Sequence, residues 1–317
     1  MSSLQACFMR FNRFFASRAA TLGAGLGAGL GAGLALLLTA GQLAAGQLAA
    51  GQLAAGQLVL LGGQAEQGRL MVFSCAPGCS AQLDGAPLFI DLAGRFVIGF
   101  HRDDSQPRQL QVSWPDGRQE SRLITPAPRR YKIQRIDGLP EKFVTPSEAV
   151  LARIRADADN VRRARQQITE QDDFIRNGFD WPAKGRITGI YGSQRILNGQ
   201  PRQPHYGIDI ALASGTPVRA AAAGRVVLAD DLYFTGWTVI LDHGHGVSST
   251  YSHLQKTAVK TGQQLARGAV LGLSGSTGRS TGPHLDWRVN WLDKRLDPQK
   301  ITGRPANWAA GTGQAAD

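Results

Sequence analysis

Cysteine is nearly absent from this sequence of 317 residues, with three in all. Cys7 lies close to the start, which leaves Cys75 and Cys79 around the turn-forming Ala-Pro-Gly. Two thiols make at most half of a cysteine zinc site, so that class of metal centre is discounted. In an exported chain they are expected to pair as a disulfide across the tight loop. Acidic residues are also in deficit: 24 Asp and Glu face 35 Lys and Arg, giving a formal net charge of +11 and a pI near 10.1. Such a chain is drawn to acidic polymers, among them nucleic acid, anionic cell-wall glycan and membrane surfaces. The basic residues are spread along the chain and no recognisable nucleic-acid module accompanies them, so no nucleic-acid partner is expected. Charge of either sign is missing altogether between Arg18 and Glu66.

That uncharged tract carries Gly-Ala-Gly-Leu repeats from Gly23 and Gly-Gln-Leu-Ala-Ala repeats from Gly41, with Arg10, Arg13 and Arg18 ahead of it. Positive residues before an apolar stretch describe a secretory signal. Leu34 to Leu38 is its most apolar part, and Ala40 or Ala45 offers a small residue for cleavage. Residues 1–62 are therefore read as a signal peptide or, since the tract is long enough to cross a bilayer, a membrane anchor. The Gln in every fifth position favours export with cleavage, and the mature start is placed between residues 40 and 66.

From 66 to 125, alternation at Phe96, Ile98 and Phe100 and at Leu110, Val112 and Trp114, with turn signals such as Asp84-Gly85 and Pro115-Asp116-Gly117, predicts a small β-sandwich-like domain. Residues 126–180 read as a linker and an amphipathic helix. The helix is expected from Pro146 to Phe174, with Thr145 as N-cap, Pro146 in the first turn and Glu148 completing a capping box. Leu151, Ile154, Ala158, Val161 and Ile168 form its apolar stripe, expected to pack on the neighbouring domain. From 181 to 302 short strands punctuated by Gly or Pro predict a compact antiparallel β domain, and 303–317 a disordered tail. The fold class is thus mainly β, with an antiparallel β-sheet domain preceded by a small β-sandwich-like domain and a linking α-helix.

Residues able to carry chemistry gather in the last domain. His205 and Asp209 flank Gly207; on a straight strand they would lie roughly 13 Å apart, too far for one metal, so Gly207 is expected to bend the chain. His284 and Asp286 are two apart and share one strand face at about 7 Å. His253 closes a strand on which Val247, Ser249 and Tyr251 share its parity. Ser274-Gly275-Ser276-Thr277-Gly278 lacks the Gly-Lys-Ser/Thr ending of a phosphate loop and is read as a flexible wall of a substrate groove. His243 and His245, in Asp242-His243-Gly244-His245-Gly246, are taken as turn residues. Each of these signals alone says little.

Taken together and in order, His-x-Gly-x-Asp, Tyr-Ser-His-Leu, the Gly-rich loop and Gly-Pro-His-Leu-x-Trp resemble the lysostaphin-type (LytM) zinc metallopeptidases, over about Pro182 to Pro298. The resemblance implies a β-fold enzyme that binds one Zn2+ per chain and hydrolyses peptide cross-links of bacterial cell walls. By that resemblance His205 and Asp209 are zinc ligands and His253 and His284 the catalytic histidines. The partners implied are peptidoglycan stem peptides, met by a single subunit in the periplasm or anchored in the inner membrane facing it. Asp286 departs from the family pattern, which has histidine there as third ligand. Asp also binds zinc, so His205, Asp209 and Asp286 remain an acceptable set. Two carboxylates cancel the metal's formal charge, and slower catalysis or a shifted pH optimum is expected. A degenerate, metal-free domain that binds wall and regulates hydrolases is the alternative.

Overall fold

The computed structural model describes residues 57–136, 148–197, 200–201 and 203–302. Most of the expected leader, the Thr145-Pro146 capping pair and the C-terminal tail lie outside them. Among the described residues no helix is long and apolar enough to cross a membrane. Val59–Gly63, at the end of the expected leader and within the range given for the mature start, is a strand antiparallel to Leu70–Ser74. Leu58 is buried because it joins the hydrophobic core that this pairing closes.

The main architecture is antiparallel β, as the alternation of apolar residues required. A ten-stranded sheet has a central path of Gln264–Leu265, Gly224–Leu232, Gly236–Asp242, Val247–Thr257, His284–Trp291, Ile208–Ala211 and Arg186–Gly189. Ahead of it, Leu70–Ser74 pairs on both sides in a three-stranded sheet with Arg95–Gly99. Ser80–Leu83, Arg108–Ser113 and Gln119–Ile124 belong to a second, four-stranded sheet. Cys75 and Cys79 are joined by a disulfide in the loop between those sheets. The N-terminal sheets and the large sheet share one core, in which Gly99 abuts Trp291 and Leu296. Arg129 reaches the buried Asp297 at 2.9 Å, and the Asp297 backbone donates to Gly68 O.

The helix runs over Glu148–Arg165, shorter than the expected span, and a separate turn of helix covers Asp173–Asn177. Ile168 falls between them and is exposed. Of the stripe, Val161 packs on the large sheet, and Ala164, outside the stripe as read, joins it against Val227, Leu228, Leu232 and Ile240. Asp157 also accepts the Tyr233 backbone N–H at 2.7 Å.

His243 and His245 lie in the turn between Gly236–Asp242 and Val247–Thr257, as expected, and that turn is buried. His243 Nδ1 meets Ala223 O at 2.8 Å, and its Nε2 meets Ser249 Oγ at 2.7 Å. His245 lies edge-on to Phe89 at 5.0 Å, with Asp91 Oδ2 3.7 Å away. Burial pushes both imidazoles down to about 4. The unfolded chain, near 6.5, takes up these protons first, so stability is full above about pH 6.5 and falls as pH drops toward 4. His243 alone is expected to remove about 3 kcal/mol over that window. Urea unfolding from pH 7 to 4 should show this loss; His243→Asn, which cannot be protonated, should flatten the dependence. An unchanged slope in that variant would refute the assignment.

Candidate active site

Three adjacent strands place the candidate residues in one row. Asp209 stands opposite Asp286, and Asp286 opposite Ser252, in the ladder of Ile208–Ala211, His284–Trp291 and Val247–Thr257. Ile208, Ile210, Leu285 and Trp287 alternate with them and fill the core, fully buried. Period-two alternation therefore turns both carboxylates to the opposite face. The chain reaches this row through a bend at Gly207, as expected, but close approach makes glycine necessary. A Cβ there would stand 2.5 Å from Arg288 Cγ and 2.7 Å from Asp286 Oδ1.

His205, Asp209 and Asp286 each offer one ligand atom, all within 4.8 Å of one another. His205 Nε2 is 3.2 Å from Asp209 Oδ1 yet makes no hydrogen bond with any described residue, although it is buried. Two donors that face a common point without bonding each other suit a shared cation. One imidazole nitrogen and two carboxylates are a donor set that zinc accepts. Gly189 makes room for it: a Cβ at that position would lie 2.1 Å from Asp209 Oδ2. Gly189→Ala is expected to displace the Asp209 carboxylate and weaken zinc binding at least tenfold in a competition titration with a chromophoric chelator. Unchanged affinity would show that Asp209 is not a ligand.

His253 enters the row by a route that alternation does not predict. The register shifts between its strand and Gly236–Asp242, and His253 itself has φ of 61°. This extra residue reverses the parity: Tyr251 faces the core, where its hydroxyl accepts from Ala221 N and Ser249 Oγ, while Ser252 and His253 both face the site. The His253 and His284 rings lie 4.7 Å apart. His253 Nδ1 is 2.8 Å from Thr277 O, and His284 Nδ1 is 2.8 Å from Gly282 O. A carbonyl only accepts, so each Nδ1 carries a proton, and in the neutral ring Nε2 is the atom with the lone pair. His284 Nε2 is 3.8 Å from Asp209 Oδ1. Burial holds His253 below the ordinary imidazole range, opposed by its bond to Thr277.

The Gly-rich loop, expected to wall a groove, positions His253. Thr277 Oγ1 donates to Leu254 O at 2.6 Å and accepts from Trp237 N at 3.0 Å, which fixes the carbonyl that orients His253. Arg288 is the residue that motif reasoning overlooked, although its place two residues after Asp286 was a signal. Its Nε donates to Asp286 Oδ1 at 2.9 Å, and Nη2 donates to Oδ2 of the same carboxylate. Burial would raise the Asp286 pKa, but the guanidinium outweighs it and holds the carboxyl at about 2.

Residues 203–298 match the model of peptidase family M23. The peptidoglycan DD-endopeptidase ShyA of Vibrio cholerae is 37% identical over 146 residues, 45% of this chain and 32% of that protein. The murein hydrolase activator EnvC of Escherichia coli is 36% identical over 124 residues, 39% of this chain and 29% of that protein. The chain thus spans about a third of the length of these curated relatives. A Pseudomonas aeruginosa crystal structure assigned to peptidase M23 is 30% identical, with a TM-score of 0.58, covering 75% of this chain and 95% of that one. With the motif residues gathered on one sheet face and that likeness extending over nearly the whole of the solved relative, the chain belongs to peptidase family M23.

Proposed function

We propose that this chain is a zinc-dependent endopeptidase that hydrolyses peptide cross-links of bacterial peptidoglycan outside the inner membrane. The observation that carries the reading is the convergence of three donor groups within 4.8 Å beside two imidazoles whose Nε2 atoms are free to act. His205, Asp209 and Asp286 would hold the ion, which would polarise the scissile carbonyl and acidify water. His253 and His284 serve as the proton-transfer pair. One Nε2 takes a proton from the attacking water, and the other, once protonated, steadies the developing oxyanion or donates to the leaving amine. Arg288 bears on the charge balance: its guanidinium on Asp286 returns the ligand set to a net charge of one carboxylate, which offsets the expected loss of Lewis acidity.

A second reading is favoured by the same ion pair. Arg288 engages both Asp286 oxygens, and a third ligand held in this way favours a metal-free domain that binds wall and regulates hydrolases; one relative is named a murein hydrolase activator. Zinc content of the purified chain, measured with release of amines from purified peptidoglycan, separates the two. Near-stoichiometric zinc and turnover abolished by chelator are expected. Absence of zinc at saturating metal, with no turnover, would establish the second reading.

A further inference from the structure

The row of site residues continues along the sheet into a basic trough. Below Asp286 and Ser252 come the cross-strand pairs Arg288 with Thr250 and Asn290 with Ser248, on the same face. The helix Glu148–Arg165 walls one side, and its last residue reaches over the sheet: Arg165 Nη2 donates to Thr250 Oγ1 at 3.0 Å. On the other side Arg295, from the strand Lys294–Leu296, brings Nη1 to 3.5 Å from Asn290 Oδ1 and its guanidinium to 5.7 Å from the Tyr206 ring. Three guanidiniums thus surround a floor of small polar side chains. Asp286 is the carboxylate bonded to one of them, and it is also a candidate metal ligand.

Several polar atoms here lack partners among the described residues. Asn290, 1% exposed, leaves Nδ2 unsatisfied; Ser248, 3% exposed, leaves Oγ unsatisfied; Arg165 Nε is likewise without a partner. Buried donors without acceptors are costly and are uncommon in folded proteins. Burial, together with the neighbouring Arg295 and Arg288 guanidiniums, disfavours the charged form of Arg165 and adds to the same demand for negative charge. An anion with planar, paired oxygens fits the guanidinium forks.

We propose that this trough is a carboxylate-binding subsite, in which Arg165 and Arg295 hold a free carboxylate of the peptide lying across the metal row. The inference rests on the proposed peptidase reading and adds its substrate class: acidic peptides with a free carboxylate close to the scissile bond.

The test is equilibrium binding of a cross-linked peptidoglycan peptide and of the same peptide with its carboxylates amidated, to the full chain, with and without zinc. The free acid is expected to bind at least tenfold more tightly than the amide. Arg165→Gln and Arg295→Gln should each weaken the acid about tenfold and leave the amide unchanged. Equal binding of acid and amide to the unaltered chain overturns the proposal, and so does a loss in the variants that is the same for both probes. Where a variant does not fold, the comparison on the unaltered chain decides. Discrimination that persists in a zinc-free chain with no turnover upholds the subsite while the peptidase reading fails. Turnover with no discrimination gives the reverse.

Discussion

His253→Ala is expected to lower turnover of purified peptidoglycan by about a thousandfold while bound zinc stays unchanged. Proton transfer by a positioned side chain contributes on the order of 10²–10⁴ in rate. His253 suits that task because Thr277 O fixes its Nδ1 proton at 2.8 Å, so its Nε2 is held as a base facing the row. The residue lies outside the set of three close ligand groups, which is why metal content should not follow activity. His284→Ala should fall by a similar factor. The double variant should be little worse than either alone, because residues that share one proton-transfer task are not additive. More than a tenth of the activity surviving in His253→Ala would remove this residue from the mechanism.

Asp286→Ala carries the second large effect, on stability rather than rate. Asp286 is buried, and Arg288 is about a quarter exposed, with its fork on both carboxylate oxygens. Removing one partner of such a pair leaves the other charge without compensation, and about 3 kcal/mol of destabilisation is expected. Arg288→Met in the same chain should restore most of that loss, since it removes the stranded guanidinium while keeping an apolar stem beside Gly207. The measurement is a double-mutant cycle from urea unfolding of the zinc-free chain. A double variant as unstable as Asp286→Ala would show that the carboxylate acts through something other than Arg288. The cycle also guards a simpler experiment: zinc lost from Asp286→Ala has meaning only where the variant is shown to be folded.

Much of this site was legible because its chemistry is written in short local patterns. His284 and Asp286 lie two apart in a strand, so their shared face follows from the pleat. The requirement for a bend at Gly207 followed from the reach of an extended chain. The apolar stripe of the helix likewise announced its packing. What escaped were relations across the sheet. Gly189 looks like an ordinary strand glycine until the opposite strand brings Asp209 to its Cα. His243 and His245 are turn residues as read, but nothing local shows that Phe89, Phe179 and Ser249 close around them and bury the turn. The helix was drawn too long because Ile168 continues a period that the chain, ending its last turn at Arg165, does not follow.

The sequence by itself determined the mainly antiparallel β architecture, the candidate residues and their order, since alternation, turn residues and motif spacing are properties of neighbours along the chain. Tertiary structure alone decided how they meet. A bulge carrying one extra residue turned His253 from the core face to the site, and the register of three strands set Asp209, Asp286 and Ser252 abreast. Side-chain periodicity is local, but a bulge and a register are agreed between strands far apart in sequence. So was the approach of Arg165 and Arg295 from separate elements, which only the folded sheet brings to one trough.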